Sequence, residues 1–181
     1  VTMLLPVILG LVFYRRLAAL SANMIIMATL LFLNGLILYI PQFLPSGNKD
    51  CRTLSRVEGL LMGLGGVCFA VPGLSGVGTA LSVASVSGVD RKYGLSMILL
   101  MNMGIVVGEA VYDFLDLLAA GFSGLSVMIL LSYLLAAVAA FVSAFLAVKL
   151  LRSLSEDRGF GWFAYYSWGA ALFTFVLSLM A

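Results

Sequence analysis

Long stretches without charge constrain this chain more than any other feature. Asp, Glu, Lys and Arg are all absent from residues 17–48, 59–89, 93–108, 117–148 and 159–181. Apolar residues make up 63% of the 181 residues and charged residues only 10%, whereas a soluble domain needs about a quarter of its residues charged. The sequence therefore predicts an all-α integral membrane protein, a polytopic helical bundle.

The uncharged stretches predict five full or partial spans when they are compared with the roughly 20 residues that cross a bilayer. These spans lie at about residues 1–14, 23–44, 94–113, 125–151 and 162–180, within a single transmembrane domain of residues 1–181. The apolar start at Val1 comes before the first charges, Arg15 and Arg16, which is the reverse of the order in a secretory signal. We therefore expect an internal start.

Residues 57–88 are predicted to form a re-entrant helical hairpin. Eight glycines fall within 59–89, and Pro72-Gly73 interrupts the stretch near its middle. Each half, at 10 to 12 residues, would rise only about 15–18 Å as a helix and cannot cross alone. A bilayer tolerates such irregular backbone where it is buried in protein or lines a cavity. The alternative is one kinked span whose glycines allow close packing.

A re-entrant hairpin places eight of the ten basic residues on one side of the membrane. Those eight are Lys49, Arg52, Arg56, Arg91, Lys92, Lys149, Arg152 and Arg158, with Arg15 and Arg16 on the other side. The positive-inside rule then makes the first side cytoplasmic.

Composition excludes several kinds of chemistry. The chain has no histidine, which removes imidazole catalysis and histidine metal sites. Its two cysteines, Cys51 and Cys68, form no CxxC pair, and we predict no metal site and no disulfide framework. A net charge of +2 is too small to favour nucleic-acid binding.

The tip of the hairpin has the composition of a phosphate-binding loop. Small residues allow a tight turn, and the helix that follows presents unpaired N–H groups and the positive end of its dipole to an anion. Ser75 and Thr79 add hydroxyl groups, and these two are the candidate catalytic residues. The predicted phosphate-binding loop consists of Pro72, Gly73, Leu74, Gly76, Val77 and Gly78. Tight packing of small residues explains the same pattern.

Four stretches of the sequence resemble one known family. Residues 71–79 read VPGLSGVGT and residues 88–96 read GVDRKYGLS; together they resemble the second-repeat signature of the undecaprenyl-pyrophosphate phosphatases of the bacitracin-resistance type, which carry a PGxSRSxxT loop. The closing segments FVSAFLAVKLLR (141–152) and GFGWFAYY (159–166) are similar to the last two family helices, and LVFYRR (11–16) is similar to the end of an earlier one.

The resemblance implies a membrane phosphatase that hydrolyses undecaprenyl pyrophosphate to undecaprenyl phosphate and recycles the carrier lipid of cell-wall synthesis. It implies a bacterial plasma-membrane location, a polyprenyl (pyro)phosphate lipid as ligand and a divalent metal ion brought with the substrate. It leaves a homo-oligomer open. The family's first repeat supplies paired glutamates and its second repeat the serine-arginine loop.

This chain departs from the family pattern where phosphate would be held. Gly76-Val77 stands in place of Arg-Ser, Ala80 in place of threonine, Gly66 in place of a frequent glutamine and Asn102 in place of a proline. The paired glutamates have no counterpart in the sequence. Glu109 is the candidate acid or base, although its place near the end of a span also fits a residue at the membrane surface.

Three hypotheses follow from these matches and departures. The first is a divergent phosphatase that is weak or inactive as this chain. The second is a non-catalytic binder or transporter of polyprenyl-phosphate lipid, since free N–H groups can hold phosphate without an arginine. The third is a remnant that works only beside a partner or not at all.

Overall fold

Six helices account for most of the residues that the structure describes. The computed structural model describes residues 6, 8, 10, 12, 23–50, 52–119, 121, 126–156 and 161–180. The helices are α1 (Met24–Tyr39, followed by a 3₁₀ turn at Ile40–Phe43), α2 (Arg56–Val67, followed by a 3₁₀ turn at Cys68–Ala70), α3 (Gly76–Val86), α4 (Arg91–Ala119), α5 (Val127–Glu156) and α6 (Gly161–Met180). Of the predicted span 1–14, residues 6, 8, 10 and 12 are described, and they are helical. Arg15, Arg16, Cys51 and Arg158 lie outside the described residues.

The predicted all-α membrane fold is confirmed. Four helical stretches are long and apolar enough to cross a bilayer, namely Met24–Phe43, Arg91–Ala119, Val127–Ser153 and Gly161–Met180. The described part of the chain contains no β-strand, only an isolated bridge between Lys49 and Val89. The helix at Arg91–Ala119 is longer at both ends than the predicted span 94–113. It starts earlier because the Asp90 carboxylate caps it by accepting a hydrogen bond from the Tyr93 N–H (2.9 Å). It ends later because no glycine or proline follows Asp113 within the helix.

Helices α1 and α6 form the most extensive helix pair in the described structure. The Trp168 indole packs beside Gly35, where a side chain would overlap it, and its N–H donates to the Phe32 carbonyl oxygen (3.2 Å). Tyr39 packs against the Trp168 ring at a centroid distance of 5.3 Å. This aromatic contact fixes α6 against α1.

Helices α2 and α3 pack as a hairpin of two short helices. They contain 12 and 11 residues and so rise about 18 and 16 Å, short of a full crossing. Their backbones are in close contact at Gly65, where a Cβ would lie 2.9 Å from the Ala80 Cα. The buried core continues from this hairpin into α4 and comprises Met62, Ala80, Leu81, Ala84, Val89, Leu95, Ile98, Met101 and Ile105.

Buried and paired charges hold the loops at the open end of the hairpin. The Arg91 side chain is only 7% exposed, and its Nη2 donates to the carbonyl oxygens of Pro41 (2.9 Å) and Leu44 (2.5 Å). Glu58 forms a capping box with Ser55 at the start of α2 and an ion pair with Lys49. Hydrogen bonds, from Lys49 first and from the Ser55 N–H and hydroxyl next, lower the pKa of Glu58 to about 2. Arg91 and Lys49 therefore have structural partners away from the loop at 72–78.

The two ends of the hairpin lie together. The Lys49 N–H donates to the Gly88 carbonyl oxygen (3.2 Å), and the Asp90 N–H donates to the Lys49 carbonyl oxygen (3.0 Å). A re-entrant hairpin requires such a contact, because both of its ends must lie on the same side of the membrane. The position of the hairpin in a bilayer stays a prediction.

We predict that cysteines placed singly at Ser46 and Lys92, in an otherwise cysteine-free chain, are labelled by a membrane-impermeant maleimide from the same side, the cytoplasmic one. Gly121, between α4 and α5, gives the control, because a cysteine there should be labelled from the opposite side. Labelling of the 46 and 92 positions from opposite sides would show that 57–88 crosses the membrane.

Candidate functional site

The loop between the two short helices is a tight turn that ends in a side-chain cap. Gly73 has a φ of +88°, which favours glycine, and the Leu74 N–H donates to the Val71 carbonyl oxygen (3.1 Å). The Ser75 hydroxyl accepts a hydrogen bond from the Gly78 N–H (3.0 Å) and caps α3. The N–H groups of Gly76 and Val77, in the first turn of α3, have no partner within the helix.

A buried polar network ties this loop to α1 and α6. The Ser75 N–H donates to Asn34 Oδ1 (2.8 Å), and Asn34 Nδ2 donates to the Ser167 hydroxyl (3.0 Å). Ser167 in turn donates to the Leu31 carbonyl oxygen (2.8 Å). Asn34 and Ser167 are only 6% and 2% exposed. Three separate elements are therefore joined at the start of α3.

A cavity of about 460 Å³ opens at this point. Its polar lining residues are Asn34, Ser75, Asn102, Tyr166 and Ser167, and its apolar wall includes Leu31, Leu38, Val77, Leu99, Ala144, Ala147, Val148, Leu150, Leu151 and Phe163. Among the described residues, no Asp, Glu, Lys or Arg side chain lines it. The start of α3 thus faces a largely apolar space with a few neutral hydrogen-bonding groups.

The structure brings some of the predicted site residues to the cavity and leaves others away from it. Ser75, Val77 and Gly78 line it. Pro72, Gly73 and Leu74 form the half-buried turn behind them. Thr79, 8% exposed, lies beside the Cys68 thiol and is not part of the lining.

Gly76 faces away from the cavity. A Cβ at this position would lie 2.6 Å from the Gly66 carbonyl oxygen and 2.9 Å from the Phe69 Cβ. These distances are too short for any side chain without movement of the α2 backbone. The two departures from the family pattern at Gly66 and Gly76 are therefore in direct contact.

Glu109 is separate from the loop. It lies on α4 seven residues beyond Asn102, about 10 Å farther along the helix, and does not line the cavity. Within the described ranges, no three His, Cys, Asp or Glu side chains come together as a metal site.

Asn34 and Ser167 are site residues that the sequence reasoning did not single out. Asn34 carried a usable signal, because a polar amide in an uncharged span usually faces the protein interior and finds a partner there. Ser167 carried none, since serine in an apolar helix commonly bonds to its own backbone four residues earlier.

The fold and the cavity together define a class: a multi-pass α-helical membrane protein with a hairpin of two short helices whose tip faces an apolar cavity. The family model described as Bacitracin resistance protein BacA matches residues 1–173. The chain belongs to this family, and the resemblance drawn from the motifs is confirmed.

Several relatives carry the name undecaprenyl-diphosphatase. The protein from Methanobrevibacter smithii is 32% identical over 174 residues, covering 95% of this chain and 61% of its own length. That from Halothermothrix orenii is 23% identical over 171 residues, covering 94% and 65%. Undecaprenyl-diphosphatase 1 from Rhodospirillum rubrum is 35% identical over 133 residues, covering 69% and 46%. The chain thus spans less than two thirds of the length of these relatives.

Proposed function

We propose that the chain acts on polyprenyl-pyrophosphate carrier lipid, converting undecaprenyl pyrophosphate to undecaprenyl phosphate and inorganic phosphate in cell-wall lipid recycling, and that as this 181-residue chain it does so weakly or not at all. Family membership supports the substrate class. The observation that carries the proposal is the start of α3, where Ser75, Val77 and Gly78 line an apolar cavity and the first-turn N–H groups of Gly76 and Val77 have no partner within the helix. Such an arrangement suits a lipid with a phosphate headgroup.

Ser75 is the proposed reacting or phosphate-binding hydroxyl, because it lines the cavity at the start of the helix. Its oxygen accepts from Gly78 N–H, so its own proton is available for a phosphate oxygen. Thr79 and Glu109 remain candidates from the sequence, although neither lines the cavity in this structure.

Weak turnover follows from the missing charges. Phosphoryl transfer depends on groups that neutralise the charge developing on phosphate, and losing one well-placed donor commonly slows an enzyme by about 10²–10³-fold. Here the arginine of the loop is replaced by Gly76, and the lining holds no charged side chain among the described residues. The pyrophosphate would therefore enter as its complex with a divalent metal ion, with the metal as part of the substrate.

A specific observation favours a second candidate function, a non-catalytic binder or transporter of polyprenyl-phosphate lipid. The space that an arginine at position 76 would need is closed by Gly66 and Phe69. A neutral cavity with N–H donors can still hold a phosphate group without cleaving it. In both cases we place the protein in the plasma membrane, and its oligomeric state stays open.

The test is phosphate release from undecaprenyl pyrophosphate by the purified chain in detergent with Mg²⁺, beside the Methanobrevibacter smithii relative. We expect release roughly 10²–10³-fold slower than by the relative, together with retention of the lipid. A rate equal to the relative's would contradict the weak-turnover part. Retention without release would favour the binder, and a chain that neither retains nor cleaves the lipid would disprove both functions.

A further inference from the structure

Asn34 is the buried side chain at which the network of the cavity converges. It sits within the apolar helix α1, and its amide reaches both the loop, through Ser75, and α6, through Ser167. A buried amide in such a helix is costly unless its groups are paired. Each donor and acceptor of the Asn34 amide therefore favours a hydrogen-bond partner.

The orientation of the Asn34 amide follows from its partners. The Ser75 N–H can only donate, so the atom facing it is Oδ1. The Ser167 hydroxyl gives its single proton to the Leu31 carbonyl oxygen, so it accepts from Asn34 Nδ2. The amide is therefore held in one orientation by two elements that are distant in sequence.

One of the two protons on Asn34 Nδ2 has no hydrogen-bond acceptor among the described residues. Nδ2 carries two protons, and within the described residues its hydrogen bond to Ser167 uses one of them. Asn34 is also part of the cavity lining, beside Ser75 and Val77. A donor in the wall of an apolar space gains most from an acceptor such as a phosphate oxygen.

We propose that Asn34 has two roles: Oδ1 positions the 72–78 loop by holding the Ser75 N–H, and the second Nδ2 proton donates to the phosphate group of the bound lipid. The inference rests on the proposed function for the identity of the ligand. Asn34 thereby supplies a side-chain donor in a site that has lost its arginine, and it favours a phosphate oxygen over a cationic or donor headgroup.

Two substitutions separate the roles. Asn34→Ala removes both. Asn34→Asp keeps an oxygen for the Ser75 N–H, and the Ser167 hydroxyl can turn to donate to the other oxygen, but the donor to phosphate is gone. Ser82→Ala is the matched control, because the Ser82 hydroxyl also ties α3 to α1, donating to the Ile37 carbonyl oxygen (2.8 Å), and Ser82 does not line the cavity.

The experiment measures two quantities on each purified variant: the dissociation constant of radiolabelled undecaprenyl phosphate and the hydrogen-exchange rate of the Ser75 amide. We expect Asn34→Asp to weaken binding about tenfold or more while Ser75 exchange stays slow, because the donor to phosphate is lost and the new carboxylate repels the phosphate charge. Asn34→Ala should weaken binding and speed Ser75 exchange about tenfold. Ser82→Ala should change neither by more than about twofold.

Each part of the inference has its own contrary result. Unchanged binding by Asn34→Asp would overturn the donor role, and unchanged Ser75 exchange in Asn34→Ala would overturn the positioning role. If Ser82→Ala weakened lipid binding and sped Ser75 exchange as much as the Asn34 variants, Asn34 would act only through the general stability of the protein. If the unchanged chain retains no lipid, the proposed function and the donor role both fail, and the positioning role is still decided by Ser75 exchange.

Discussion

Placing an arginine at position 77 is expected to strengthen the binding of undecaprenyl pyrophosphate at least tenfold, whereas the same residue at position 76 is expected to prevent folding of the hairpin. Val77 lines the cavity, so a guanidinium there can reach a phosphate with charge-assisted hydrogen bonds worth about 1.5–3 kcal/mol each. At Gly76, even a Cβ would lie 2.6 Å from the Gly66 carbonyl oxygen. Lipid retention and thermal stability in detergent measure the two effects.

The variants Val77→Arg and Gly76→Arg control for each other, since both add one arginine and have the same net charge. Val77→Arg also shows whether a cation alone restores turnover, through phosphate release measured on the same samples. A Gly76→Arg chain that folds and binds more tightly than Val77→Arg would contradict this account, because it would mean that α2 yields and the loop adopts the family's arginine-bearing arrangement.

A single methyl group at Gly65 is expected to destabilise the protein by about 2–3 kcal/mol. The Cβ of Gly65→Ala would lie 2.9 Å from the Ala80 Cα and 3.1 Å from its nitrogen, so the backbones of α2 and α3 must separate, and overpacking of this kind typically costs 1–3 kcal/mol. Separation would also displace the loop from the cavity. The measurement is thermal unfolding in detergent, with lipid retention on the same preparation.

Gly169→Ala is the matched control for that prediction. Gly169 also lies within a helix, and a Cβ there meets nothing within 4 Å. Alanine is the better helix former by about 1 kcal/mol, so this variant should be as stable as the parent or more so. Similar losses in both variants would argue that α2 and α3 do not pack as closely as described.

The helices can be predicted from the sequence because the features that indicate them are local. Uncharged stretches of spanning length, and a Pro72-Gly73 break between two stretches too short to cross, can be recognised without knowledge of any partner. Four of the five predicted spans lie on helices of the structure, at Met24–Phe43, Arg91–Ala119, Val127–Glu156 and Gly161–Met180, whereas the predicted span 1–14 lies largely outside the described residues. The loop at 72–78 was found for the same reason.

The cavity could not be predicted in this way, because it depends on helices distant in sequence. Ser75 was identified from its place in the loop, but its partner Asn34 lies 41 residues away. The direction of each loop residue also escaped sequence reasoning. Val77 faces the cavity while Gly76 packs against Gly66, and that difference follows from how α3 rests on α2.

The hydrogen bond between Asn34 and Ser167 joins residues separated by 133 positions. At the usual pace of about 5–20 residues per second, the ribosome delivers Ser167 roughly 7–27 s after Asn34. During that interval α1 is already made, while the hydroxyl that orients its amide does not yet exist. The Asn34 amide can therefore be held in this orientation only after α6 has been made, so the cavity is completed later in synthesis than the pair of short helices that contributes its tip.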